Sequence, residues 1–153
     1  MTALLLLTAL LANGLAAGVM VGTAIGTAPL ALALPYDRYV RLIQYMWPRY
    51  DPFMPITNGL ALAGCAALAV LAPEPAARPA FGAAAALLIV LMVISVVKNV
   101  PINKYVMSLD PQRPPEDWER RDPRVRWRNW NLLRTALAVA AFTVSLAGAT
   151  VLA

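Results

Sequence analysis

Long apolar runs alternate with polar stretches along this chain, and the alternation predicts four membrane-spanning helices, over residues of about 1–34, 56–72, 79–98 and 131–153. Each run approaches the ~20 mostly apolar residues with which an α-helix crosses the hydrocarbon core of a bilayer. The fold class read from this pattern is all-α: an integral membrane four-helix bundle forming a single domain, with a short interfacial helix in the first long loop. That helix is read from Asp37 to Trp47, where Tyr39, Val40, Ile43 and Trp47 share one helical face and Arg38, Arg41 and Tyr45 point the other way. Pro48 is expected to end it.

The polar stretches, Leu34 to Pro55 and Lys98 to Trp130, hold all four Trp, all five Tyr and nearly every charge. Rings serving only as anchors would appear at both interfaces, since either headgroup layer suits them; their confinement to one side points to a function on that face. All 13 Lys and Arg except Arg78 lie in or beside these stretches, so the positive-inside rule predicts cytoplasmic long loops and both termini outside, in a bacterial inner or plasma membrane. The first segment carries no Lys or Arg before its apolar run and no clear cleavage site, which reads as a retained helix rather than a removable signal peptide.

Composition excludes several functions. With 60% hydrophobic residues the chain is too apolar for a soluble domain of this length. Its net charge of +5 lies against membrane segments, which fits anionic headgroups and the bilayer as a partner, and no nucleic acid. Cys65 stands alone in a span, so neither a disulfide nor a thiolate cluster is expected. Histidine is absent, which removes the usual haem ligand, the common zinc site and the most frequent general base. No metal and no organic cofactor is expected.

Within the spans, three patterns draw notice. Gly14, Gly18, Gly22 and Gly26 recur every four residues, a ladder that favours close approach of another backbone over a ligand groove, and Pro29 is expected to bend the helix beyond it. Ser95, Asn99 and Asn103 form a polar ladder that Pro101 is expected to break or kink. Asp122-Pro123 reads as an N-cap and first-turn proline, and on the helix that follows Trp127, Asn131 and Arg134 share a face. Arg134 precedes an unbroken apolar run, so it either snorkels to the headgroups or points inward to a partner.

Leu34-Pro35 through Asp51-Pro52-Phe53-Met54, then Val100-Pro101-Ile102-Asn103-Lys104, Asp117-Trp118, and Arg126-Trp127 with Asn131 and Arg134 together resemble the anthrone oxygenase-like family of small four-span membrane proteins. The most specific parts are the Pro-x-Asn after the third span and the Trp127-x6-Arg134 that opens the fourth. Where the family often places an Asn shortly after the first-loop Gln, Gln44 is followed here by Tyr45, Met46 and Trp47. The resemblance implies oxidation of an anthrone-like lipophilic aromatic, as in polyketide biosynthesis, with molecular oxygen as co-substrate and no cofactor.

Such chemistry needs a flat apolar site with donors for developing oxyanions. Asn99, Asn103, Arg134 and Asp51 are the catalytic candidates, with Asp51 or Asp117 as base, and Trp127, Asn131, Gln44 and Trp47 the substrate-binding ones. A non-enzymatic four-span carrier or accessory protein for lipophilic metabolites is the competing reading, and self-association into a homo-oligomer stays open.

Overall fold

The computed structural model describes residues 2–152; Met1 and Ala153, the outer ends of the first and last predicted spans, lie outside the described residues. The chain is an all-helical integral membrane protein with four helices long and apolar enough to cross a bilayer. We label the elements α1 (Thr2–Ala33), α2 (Tyr36–Leu71), α3 (Pro75–Met107), the single turn α4 (Trp118–Arg121) and α5 (Arg124–Leu152). α1 and α3 each pack against both α2 and α5, which places α1 and α3 on one diagonal of the bundle.

Two expected helix breaks are absent. α2 does not stop at Pro48: it runs unbroken through Pro48, Pro52 and Pro55, so the predicted interfacial helix is the first part of the second span's own helix. A proline removes the hydrogen bond to the carbonyl four residues back, here those of Gln44, Pro48 and Asp51, and beyond the prolines side chains bond back to carbonyls one turn earlier. Thr57 Oγ1 donates to Phe53 O (2.9 Å) and Asn58 Nδ2 to Met54 O (2.8 Å). The amphipathic face is as read: Tyr39, Val40 and Ile43 are buried, while Arg38, Arg41 and Tyr45 are exposed.

α3 likewise continues past Pro101, because a π-helical turn over Ser95–Asn99 absorbs the proline, with Val100 N–H donating to Ser95 O. α1 uses the same device before Pro29: a π turn over Thr23–Thr27, with Ala28 N–H donating to Thr23 O. In both, widening the turn just ahead of the proline relieves the clash of its ring with the carbonyl behind it. In both, the turn opens on a hydroxyl bonded one turn back, Thr23 Oγ1 to Val19 O (2.9 Å) and Ser95 Oγ to Leu91 O (2.8 Å). Thr27 and Asn99 are the last residues of the two turns.

The glycine ladder of α1 is a packing seam at one position only. A Cβ on Gly14 would meet the Phe142 ring at 3.2 Å, whereas Gly18, Gly22 and Gly26 face open space. A tighter approach lies elsewhere, at Gly64, where an added Cβ would lie 2.8 Å from Ala9 Cβ and 3.1 Å from Ala9 Cα. Around it Ala9, Cys65, Leu68, Phe81 and Leu88 form a sealed apolar core toward the short α2–α3 connection.

At the opposite end Arg124 ties the elements together. Its Nε donates to both Asp122 carboxylate oxygens (2.9 and 2.7 Å), and its Nη1 to Leu34 O (2.7 Å) at the end of α1. The guanidinium also lies over the rings of Tyr39 and Trp118, 5.4 and 5.9 Å from their centroids. Asp122 Oδ1 accepts the N–H of Arg124 at 2.9 Å, the predicted cap of the last helix.

Candidate functional site

The two π turns face each other across the bundle diagonal, and between them lies a cavity of about 200 Å³ on the long-loop side. α2 walls it with Ile43, Met46, Trp47, Tyr50, Asp51, Met54 and Asn58; α3 contributes Leu91, Met92, Ser95, Asn99 and Asn103; α5 contributes Trp127, Asn131 and Arg134. Met20, Met46, Met54 and Met92 all reach it. Unbranched thioether side chains make a deformable, polarizable wall suited to an apolar guest.

A short polar relay crosses this wall. Trp127 Nε1 donates to Asn103 Oδ1 (3.0 Å), Asn131 Nδ2 donates to Trp127 O (3.0 Å), and Arg134 Nη1 donates to Asn131 Oδ1 (3.4 Å). Asn131 thereby orients Arg134, and Asn103 holds the indole of Trp127 while keeping its own Nδ2 free to donate. Arg134 does not snorkel away from the bundle: it lines the cavity, and its Nε is buried without a partner.

Asn99 carries the sharpest anomaly. It is 2% exposed, lines the cavity, and neither Oδ1 nor Nδ2 has a hydrogen-bond partner. Proteins seldom leave such groups unpaired, because an unsatisfied buried amide costs ~1–3 kcal/mol. Together with Arg134 Nε it presents donors inside an apolar enclosure, the arrangement that stabilises a developing oxyanion.

Of the residues read from sequence, Asn99, Asn103, Arg134, Asp51, Trp127, Asn131 and Trp47 are brought together here. Gln44 is not. Its Nε2 donates to Leu109 O (2.9 Å), which ties α2 to the end of α3 instead of facing the cavity. Asp117 is also elsewhere, bridged to Arg121 Nε at 2.6 Å, so Asp51 is the carboxylate on the cavity wall among the described residues. These residues also hold no group of three or more Cys, Asp or Glu placed to bind a metal ion.

Sequence reading missed Asn58, whose Nδ2 is spent on Met54 O and whose Oδ1 is buried and unpartnered on the cavity wall. A lone amide inside the apolar run that follows Pro55 was the available signal. It also missed Tyr50, Met46 and Met54, which lie in the stretch read as a polar loop, and Met20 and Met92, which look like ordinary span residues in sequence.

The sequence model of a family described as anthrone oxygenase matches residues 46–144. The match opens at Met46 and so takes in every cavity residue of α3 and α5 named above, while leaving Leu34-Pro35 and Gln44 outside. Nothing among curated proteins or solved structures matches the chain.

Proposed function

Since the chain belongs to the anthrone oxygenase family, we propose that it is a membrane-embedded, cofactor-independent oxygenase that converts an anthrone-like aromatic to a quinone with molecular oxygen. The observation that carries this reading is the pair of unpartnered buried groups, the Asn99 amide and Arg134 Nε, in the lining of one cavity walled by Met and Trp. A substrate of flat rings would lie against Trp127 and Trp47, with its carbonyl edge toward Arg134, Asn99 and the free Asn103 Nδ2.

In this scheme the ring methylene loses a proton to Asp51, and the resulting enolate has its oxygen held by Arg134 and Asn99. The electron-rich carbon then bonds to O₂, and the peroxide anion recovers the proton from Asp51 as a hydroperoxide; Asp51 next removes the remaining C–H proton as the O–O bond breaks, and the departing hydroxide takes that proton to leave as water while the second carbonyl forms. The balance is one CH₂ and one O₂ to one C=O and one H₂O. The enolate itself supplies the electrons, so the scheme needs no metal or flavin. We also place the long loops in the cytoplasm, on the asymmetry of Lys and Arg.

The test is oxygen uptake by purified protein in nanodiscs given a simple anthrone. The expected result is quinone formed one-to-one with O₂ consumed, unchanged by chelators. Oxidation no faster than in empty nanodiscs, with the compound instead exchanged between vesicles, would replace the oxygenase by a carrier. Orientation is checked by labelling Ser108→Cys and Ala76→Cys in intact cells. An impermeant reagent should modify position 76 and spare 108, and the reverse pattern inverts the topology.

A further inference from the structure

A second cavity, of about 370 Å³, lies outside the site just described and is lined by Tyr105, Arg120, Arg121, Asp122 and Arg126. Its walls come from the end of α3, the single turn α4 and the start of α5. Four guanidinium groups and two carboxylates meet in and around it. Asp122 is gripped by Arg124, and Asp117 bridges Arg121 at 2.6 Å and Arg120 at 3.6 Å. Those last two arginine side chains are 62% and 82% exposed, where an ion pair contributes little and yields readily to a better anion. Arg126 is exposed and makes no ion pair among the described residues; Glu116 and Glu119 are exposed and do not line the cavity. The Tyr105 hydroxyl is buried there without a hydrogen-bond partner.

The excess of about two positive charges, presented as several forked donors with a spare hydroxyl among them, matches the ~1.5–2 negative charges and three acceptor oxygens of a phosphomonoester better than a single carboxylate. Depth favours a source in the bilayer. Tyr105 lies seven residues beyond Lys98, the cation that covers the Trp130 ring at the end of the predicted third span, and thus roughly 10 Å further along α3, within reach of a headgroup layer that begins there. We propose that this cavity is a seat for the phosphate group of an anionic lipid, separate from the Met-lined cavity and independent of any catalytic reading.

The test is mass spectrometry of lipid retained by protein extracted from nanodiscs that contain phosphatidylcholine and phosphatidic acid. Wild type should enrich phosphatidic acid, and Arg126→Gln should lower that enrichment about fivefold, the effect of one arginine at a charged surface. Tyr105→Phe, which keeps the ring and removes the hydroxyl, should lower it about two- to fivefold. Arg128→Gln, on the same helix but off the cavity, should leave it unchanged. Equal losses in Arg126→Gln and Arg128→Gln would reduce the site to a diffuse field and overturn it. Displacement of the lipid by inorganic phosphate at matched concentration would overturn the lipid source.

Discussion

Near the short α2–α3 connection the helices close on one another through small residues: Gly64 against Ala9, and Gly148 against Ala80 and Phe81. There Cys65 Sγ lies 3.5 Å from Ser145 Oγ, which in turn donates to Ala141 O, and Asn13 is the one side chain whose buried polar atoms go unpaired among the described residues of this half. Near the long loops the same helices are held apart by Trp, Tyr and Met side chains and by two π turns, and amide and guanidinium atoms are left without partners. One half is packed for closure and the other for occupancy. Stability and function are thereby given to different residues of one bundle, and the two halves should respond to substitution in opposite ways.

Arg134 should produce the largest effect. Arg134→Lys keeps the charge but loses the planar fork, and turnover of an anthrone should fall about 100-fold or more, as when an oxyanion donor is removed. Full activity in a folded Lys variant would make Arg134 a membrane anchor and dissolve the contrast. In the closed half, Gly64→Val pushes side-chain carbons into the Ala9 backbone and should cost ~1–3 kcal/mol. Denaturant unfolding in micelles reads that loss, and the molecules that remain folded should keep normal turnover.

Two matched substitutions then set the halves side by side. Asn13 and Asn99 are both buried amides with neither polar atom paired, but only Asn99 faces the cavity. Asn→Leu at either position removes an unsatisfied group and should raise stability by ~1 kcal/mol. Asn99→Leu should also abolish most turnover, while Asn13→Leu should leave it intact, and loss of activity in both would mean that the site extends into the closed half. The smallest effect is expected at Gly18, where open space makes Gly18→Ala worth less than ~1 kcal/mol. A clear destabilisation or a change in oligomer size there would reveal a second copy packed on the glycine face.

The spans and the shared face of Trp127, Asn131 and Arg134 were legible because helical spacing and apolar runs are local properties of the sequence, whereas joining that face to Asn99 and Asn103 on another helix also took the family resemblance. The continuity of α2 and α3 was not. A proline announces a lost hydrogen bond but not whether the helix will run on regardless, as α2 does, or a widened turn will absorb it, as the Ser95–Asn99 turn does. Gln44 was misplaced for a similar reason: its partner carbonyl, Leu109 O, lies 65 residues away and leaves no mark on the local pattern. The glycine ladder misled because spacing shows that residues share a face and says nothing of what that face meets.

The grip of Arg124 on Leu34 O reaches back across 90 residues of chain. During synthesis the end of the first helix must therefore enter the membrane, and two more spans must follow, before the residue that binds it has been made. Until the last helix arrives the Met-lined chamber lacks its Trp127 wall and its arginine, and stands open to lipid. A chain cut before Arg124 would hold three helices with no latch.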